Sequence, residues 1–474
     1  MTPITEGSAW RRAALIVPPV FAAAILVHVF VLQGFANSGD EYAYLWQATA
    51  ISEGRVTAES PQPAAAFTQN HLGDDGHRRF SKYPPGWPLL LAVGARVQLP
   101  GLINPLLAAL ALAGIYRLGS AWAGTRAAAL GAIVTATSPF FLLNAGSYHS
   151  HPACLFALTG LALSLAWAGE RPGAGPLVLG GVSFGLAVLI RPYTALLIGV
   201  PLILGLGTPV VRALLTAQRN PWQAGAWFVI GGVPAIAVLM LVNMAATGSW
   251  WTLPWTRFDP TEGWGFGSYG HTPLRGLKNA VRLCLEGVVY TSFIALPLLV
   301  AARGQAVSHR RLLWVILAAP VIGYIFWWSH GGNRYGPRFY FEALLALTIL
   351  MGVGLERLLR GKMARAVVTI AGIATIASGG VLARSAYSQV LARRDVYRVV
   401  EAAGLQHAIV LLKTASSDMV RIDLNRNPPD FRAAPVLYGM SRPGLDYEVV
   451  EANPGRSLYY YEWRAEGGRV WPVP

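Results

Sequence analysis

Apolar segments of membrane-spanning length recur through roughly the first four-fifths of this chain, and no other feature constrains its fold as strongly. A bilayer core about 30 Å thick takes about 20 residues of helix to cross. Stretches that meet or approach this length lie at 13–34, 101–119, 127–143, 152–168, 176–190, 193–208, 224–247, 288–302, 312–328, 339–357 and 366–382. They predict an all-α polytopic membrane protein of about eleven transmembrane helices. The first stretch follows Arg11-Arg12 and is long for a signal peptide, so it reads as an uncleaved helix. The apolar run 85–97 is shorter and reads as an interfacial helix.

Orientation follows from the arginines. With the N-terminus in the cytoplasm, the connections holding Arg117 and Arg126, Arg171, Arg212 and Arg219, Arg303 with Arg310-Arg311, and Arg357 through Arg365 all fall inside. Counting 85–97 as a span would put the last two clusters outside. Composition agrees with a membrane chain: 54% of its 474 residues are hydrophobic and only 13% charged, against about a quarter in soluble domains. The formal charge of +15 does not point to a nucleic-acid partner. Such a binder gathers Lys and Arg on one solvated face, whereas here they punctuate apolar runs. Cys154 and Cys284 have no ligand-like spacing, which argues against a disulfide framework or a zinc motif.

The same threading puts three larger pieces on the extracytoplasmic side: the loop 37–84, the Trp-, Gly- and Pro-rich piece 248–286, and the tail. In the tail, HAIVLLK, APVLYGM and SLYYYEW read as strands separated by RNPPD and SRPG turns. The predicted organisation is a membrane domain over 1–384 and a small α/β extracytoplasmic appendage over 385–474.

Ionisable groups beside membrane helices are costly and mark candidate sites. Asp40, Glu41, Lys82, His149, His151, Arg191, Arg334, Arg338 and Glu342 all map to outer helix ends or outer loops, which predicts one extracytoplasmic site. Asp40-Glu41, in SGDEYAYLWQA, fits a general base, a hard-oxygen metal ligand or an acidic helix start equally well. Lys82 opens KYPPGWPLLL, whose prolines set the chain direction; it suits a phosphate as a point charge or snorkels at the interface. His149 and His151 in GSYHSHP lack the i, i+4 spacing of a helical metal pair, and a hydrogen-bonded loop histidine is the simpler reading of each. Arg191-Pro192 needs a carboxylate or phosphate partner. In SHGGNRYGPRFYFE, Arg334 and Arg338 offer forks for phosphate, while Glu342 stands four residues after Arg338 as a helical ion-pair partner. Trp250, Trp251, Trp255, Trp264, Trp327 and Trp328 fit an aromatic belt, with sugar stacking open for Trp264.

The acidic pair after the first helix, the YPPGWP closing the first outer loop, SPFFLLNAGSYHSHP and the late RYGPRFYFE together resemble the GT-C membrane glycosyltransferases. The nearest branch is similar to glycosyltransferase family 39 and its bacterial relatives that place aminoarabinose on lipid A. The resemblance covers 13–210 and, less fully, 325–345. It implies a polyprenyl-phosphate-linked sugar donor used at the outer face of the cell membrane. A single displacement with inversion is expected, with no cofactor needed, and a divalent metal held by a carboxylate with His149 or His151 is the disfavoured alternative. The resemblance implies that Asp40 takes the acceptor proton, Glu41 shapes the acceptor pocket, and Lys82, Arg191 and Arg338 face the carrier phosphate. His151 would stand on the site wall, and His149, Arg334, Tyr335 and Glu342 belong to the same motifs as substrate-binding candidates. No long Ser/Thr-rich or lectin-like insertion is present, so a glycan or lipid acceptor is as consistent as a protein. The competing reading is a transporter or flippase for a lipid-linked or anionic solute, with the arginines as its anion path. The two similar halves usual in transporters are absent from the sequence. A scaffold whose tail binds partners would leave the clustered charges unexplained.

Overall fold

A computed structural model describes residues 3–216, 220–332, 334–413, 423–442, 444–464 and 467–473. Arg219 and the proline of the SRPG turn lie outside the described residues. Among those described, seven helices are long and apolar enough to cross a membrane: Gly7–Val31, Pro100–Trp122, His151–Glu170, Pro192–Thr216, Pro221–Thr247, Arg338–Leu359 and Ala364–Ala402. Two bent pairs raise the number to nine if each is one span: Thr125–Thr137 with Pro139–Gly146, bent by 62°, and Pro273–Tyr290 with Ala295–Ala302, bent by 99°. The chain is a multi-pass membrane protein.

Two of the expected spans are short for a bilayer crossing. Ala174–Ile190 has 17 residues, and Arg310–Gly323 has 14 before it tightens into a 3-10 turn over Tyr324–Phe326. The expected count of eleven requires both to cross. Two other runs, 127–143 and 288–302, are broken rather than straight. Pro139 cannot donate to the preceding turn, and Ser138 caps a new helix by accepting from the Phe141 N–H at 3.2 Å. Near 290 the chain takes two consecutive left-handed residues, Ser292 and Phe293, which no helix continues through. The run 85–97 forms the helix Gly86–Arg96. At about 1.5 Å per residue its 11 residues fall well short of a bilayer core.

Helices meet through glycine. A Cβ on Gly131 would lie 2.1 Å from the Thr348 carbonyl oxygen, and one on Gly352 2.0 Å from that of Ala127. Gly181 and Gly231 likewise set Ala174–Ile190 against Pro221–Thr247, with Cβ positions 1.9 and 2.1 Å from facing carbonyl oxygens. Small residues let backbones approach where lipid gives helices no hydrophobic reason to associate.

The pieces outside the helices are ordered. The stretch 37–84 holds the helix Gly39–Ser52 and an antiparallel sheet of β1 (Ala58–Glu59), β2 (Leu72–Asp74) and β3 (Arg78–Ser81), in the order β1-β3-β2. The expected outer piece 248–286 is helical from Pro273 onward. The tail strands are β4 (Ala408–Leu412), β5 (Val436–Met440) and β6 (Ser457–Arg464), joined by a fourth, β7 (Gly467–Pro472). Their order is β5-β4-β6-β7, with parallel pairs around β4 and an antiparallel β6-β7 pair. This sheet is not detached. Ala66 and Phe67 of the first loop are buried against Ile409, Leu411 and Leu437, and Asn425 donates to the Ala66 and Thr68 carbonyls at 3.3 and 2.9 Å. The last membrane helix runs unbroken from Ala364 to Ala402, through the expected boundary at 384.

Candidate active site

The site begins at the start of Gly39–Ser52. Ser38, not Asp40, caps this helix: its hydroxyl accepts from the Glu41 N–H at 3.2 Å and donates to the Glu41 carboxylate at 3.1 Å. That arrangement turns Glu41 inward, where it is fully buried and accepts from the Tyr148 N–H at 3.1 Å. Asp40, free of capping duty, keeps a side chain 28% exposed. Around it stand Arg338 Nη1 at 3.5 Å, His71 Nε2 at 3.4 Å and the Tyr83 hydroxyl, which donates to Oδ1.

The GSYHSHP loop supplies the next wall, held by two buried asparagines. Asn104 donates to the carbonyls of Ser147 and His149 at 2.7 and 2.9 Å. Asn144 donates to the Tyr335 carbonyl at 2.9 Å, tying this loop to RYGPRFYFE. The rings of His149 and His151 lie 6.0 Å apart, and Tyr335 packs edge-on against His149 at 5.5 Å. Arg338 Nη1 is 2.9 Å from the His149 ring nitrogens, and His149 Nε2 is 3.4 Å from Glu41. Beyond His149, Glu342 holds His151 Nδ1 at 3.2 Å and Arg191 Nε at 3.3 Å. Arg191 also reaches the hydroxyls of Ser150 and Tyr324 at 3.4 and 3.2 Å.

Asp40, Glu41, His149, His151, Arg191, Tyr335, Arg338 and Glu342 therefore form one contiguous chain of contacts. One expectation is corrected: Glu342 pairs with Arg191 and His151 and not with Arg338. Residues 338–343 form a 3-10 helix, in which positions four apart do not share a face. Arg334 stands at the edge, donating to the Asn37 carbonyl and facing Asp423 at 3.7 Å. Lys82 is set apart. Its ammonium pairs with Glu262 at 3.1 Å, 4.5 Å from the Trp255 ring centre, and Trp328 donates to the same carboxylate at 3.1 Å.

Four participants escaped sequence reasoning: His71, Tyr83, Glu262 and Asp423. Tyr83 lies inside KYPPGWP and was within reach. Asp423 comes from the tail, where it binds Arg393 at 2.8 Å and accepts from Asn70 at 2.7 Å, and nothing near it in sequence announces that role.

The electrostatics divide the carboxylates. Burial alone would raise the Asp40 pKa, but His71, Arg338, His149 and the Tyr83 hydroxyl together hold it well below the usual carboxylate range. Glu41, buried among neutral groups and more distant arginines, is pushed up. Burial draws His71 down to about 4 and, with Arg338 beside it, draws His149 well below its ordinary value, so both rings are neutral at neutral pH. The site thus offers an ionised carboxylate beside a guanidinium and neutral imidazoles. Among the described residues no three His, Cys, Asp or Glu side chains converge as a metal-ligating group.

This chain shares its fold with the solved structures of ArnT from Cupriavidus metallidurans. Its likeness to ArnT from Cupriavidus metallidurans bound to undecaprenyl phosphate covers 97% of this chain and 94% of that one, with a TM-score of 0.60 at 14% identity. For the apo state of ArnT the TM-score is 0.56 at 16% identity, covering 96% and 94% of the two chains. The Archaeoglobus fulgidus oligosaccharyltransferase aligns at a TM-score of 0.46 and 13% identity, over 94% of this chain and 69% of that one. No family model matches the sequence, and no curated protein sequence matches it.

Proposed function

We propose that this protein is an inverting GT-C glycosyltransferase of the cell membrane. It moves a sugar from a polyprenyl-phosphate donor to a glycan, lipid or protein hydroxyl at the extracytoplasmic face. In this reading all eleven helices cross, the N-terminus is cytoplasmic, and residues 385–474 form the outer domain. The observation that carries the proposal is the partly exposed Asp40 carboxylate held between Arg338, His71 and Tyr83, in a fold shared with a protein that binds undecaprenyl phosphate.

The chemistry follows from that geometry. The acceptor oxygen attacks the anomeric carbon while the carbon–oxygen bond to the carrier phosphate breaks. The acceptor proton passes to Asp40, and the new negative charge stays on the departing polyprenyl phosphate. A carboxylate clamped by Arg338 is a weak base. A donor phosphate competes for that guanidinium, and as Arg338 turns toward it Asp40 regains basicity, which couples base strength to donor binding. The same preorganised cation then stabilises the leaving phosphate in a site with little water. Arg191 serves as a second cation behind it, oriented by Glu342. Lys82 reaches the phosphate by exchanging Glu262 for it. No metal is required, because arginines carry the leaving charge.

The test supplies purified protein in lipid nanodiscs with radiolabelled polyprenyl-phosphate sugars and an envelope extract as acceptor. Label appearing on the acceptor supports the transferase. Label that stays on its lipid yet crosses the bilayer of reconstituted vesicles replaces it with the flippase reading.

A further inference from the structure

At the end of the bundle away from Asp40, an open pocket of about 630 Å³ is lined by Arg303, Gly304, Arg310, Arg311, Trp314 and Val315. Two helices measure its distance from the site independently. Arg338 begins the segment Arg338–Leu359 at the site, and Arg357 near its other end donates to the carbonyls of Ala301 and Arg303 at 3.0 and 3.3 Å. Asn104, near the start of Ile103–Trp122, holds the GSYHSHP loop, while the Trp122 carbonyl at the far end accepts from the Ser308 N–H at 3.0 Å. At about 1.5 to 2 Å per residue each path is close to 30 Å, the thickness of a bilayer core. The pocket therefore sits at the opposite membrane face from Asp40.

We infer that this pocket binds the phosphate headgroup of an anionic phospholipid in the leaflet opposite the site. Both the charge of the pocket and its construction favour such a headgroup. Among the described residues Arg303, Arg310 and Arg311 have no carboxylate partner within ion-pair distance, and the nearby Glu356 is engaged by Arg360 at 2.7 Å. The rim is fixed from two sides: Arg357 pins the backbone at 301–303, and Trp122 pins Ser308 and packs on His309 at 5.0 Å. Three guanidinium forks on a fixed rim suit a phosphodiester. Trp314 and the exposed Val315 continue the pocket onto the apolar flank of Arg310–Gly323, where acyl chains run. Basic pockets between helices at the membrane surface are suited to anionic lipid heads. A soluble anion would gain the forks but leave that apolar wall uncovered. The inference does not depend on the reaction run at Asp40.

Native mass spectrometry of the full chain released from detergent, titrated with phosphatidylglycerol or phosphatidylcholine, tests it. Phosphatidylglycerol should bind at least about tenfold more tightly than phosphatidylcholine. The triple variant Arg303→Ala, Arg310→Ala, Arg311→Ala should lose that preference. A charge-matched control, Arg12→Ala, Arg171→Ala, Arg212→Ala, should keep it, and the Lys version of the triple variant, which preserves charge and solubility, should bind at an intermediate level. Equal loss in the control would reduce the effect to diffuse surface charge and overturn the site. Full retention in the alanine triple variant, or competition by millimolar inorganic phosphate as effective as by the lipid, would overturn it too.

Discussion

Asp40 and His71 face each other at 3.4 Å with opposite electrostatic biases, and both make the folded state sensitive to acid. His71 has its pKa drawn from 6.5 to about 4, chiefly by burial. The unfolded chain therefore binds a proton that the folded chain refuses between those two values. Its contribution to stability is complete above pH 6.5 and is lost as pH falls toward 4. Asp40, held low by its cationic and hydroxyl neighbours, loses its contribution only further down, below the ordinary carboxylate range. A His71→Asn variant should be less stable than wild type at pH 7.5 and close the gap as pH drops to 4.5, read as thermal midpoints across the series. A gap that stays constant over that range would show that His71 is not held neutral. At this scale the sequence was legible where chemistry and motif coincide: Asp40, His149 and Arg338 stand together as expected. It was not legible for Glu342, because the expected pairing assumed an α-helical turn where the chain winds as 3-10. Nor was it legible for Lys82, whose buried partner Glu262 lies 180 residues away.

Helix packing in this protein depends on backbone contact through glycine, and those glycines are as consequential as the charged groups. Gly352 faces the Ala127 carbonyl so closely that a Cβ would sit 2.0 Å away, and Gly131 returns the same contact against Thr348. Gly352→Val must push Thr125–Thr137 off Leu344–Leu359, and overpacking of this kind typically costs about 1–3 kcal/mol. The thermal midpoint in detergent should fall, with a smaller loss for Gly352→Ala. An unchanged midpoint would mean that the two helices are not in register as described. Hydropathy located nearly every helix but could not see this contact, since glycine reads the same at a lipid face as at a crossing. It also missed both sharp bends. The run 288–302 is apolar on average, and nothing in its Thr291-Ser292 pair shows that Ser292 and Phe293 turn left-handed and break the helix.

Across the whole molecule, the tail and the stretch 37–84 form one structure around the site. Asp423 binds Arg393 of the last helix, Asn70 of the 37–84 stretch and, at 3.7 Å, Arg334 of the late motif. Arg426 lies over the rings of Phe35 and Tyr42 just beside Asp40-Glu41. Asp423→Ala leaves two arginines without their shared carboxylate, and removal of one partner of a mostly buried pair costs more than the pair itself contributes. The 37–84 stretch of this variant should be cut faster by protease, and its sugar transfer should drop severalfold. Unaltered cleavage and transfer would separate the tail from the site. The tail's strands were legible from alternation and turns. Their docking was not, because it joins residues some 350 positions apart, with Ala66 and Phe67 buried against Ile409, Leu411 and Leu437 beside a few polar contacts.

The account turns on Asp40, and sugar transfer by wild type and Asp40→Asn protein in nanodiscs with labelled polyprenyl-phosphate donors measures its role directly. Asparagine keeps the size and the contacts to Tyr83 and His71 but cannot take a proton. Normal insertion, retained donor binding and transfer reduced by about 10² to 10⁴ are expected of the variant, with inverted configuration in the wild-type product. Transfer at the wild-type rate by the variant would remove Asp40 from the mechanism and contradict the account at its centre.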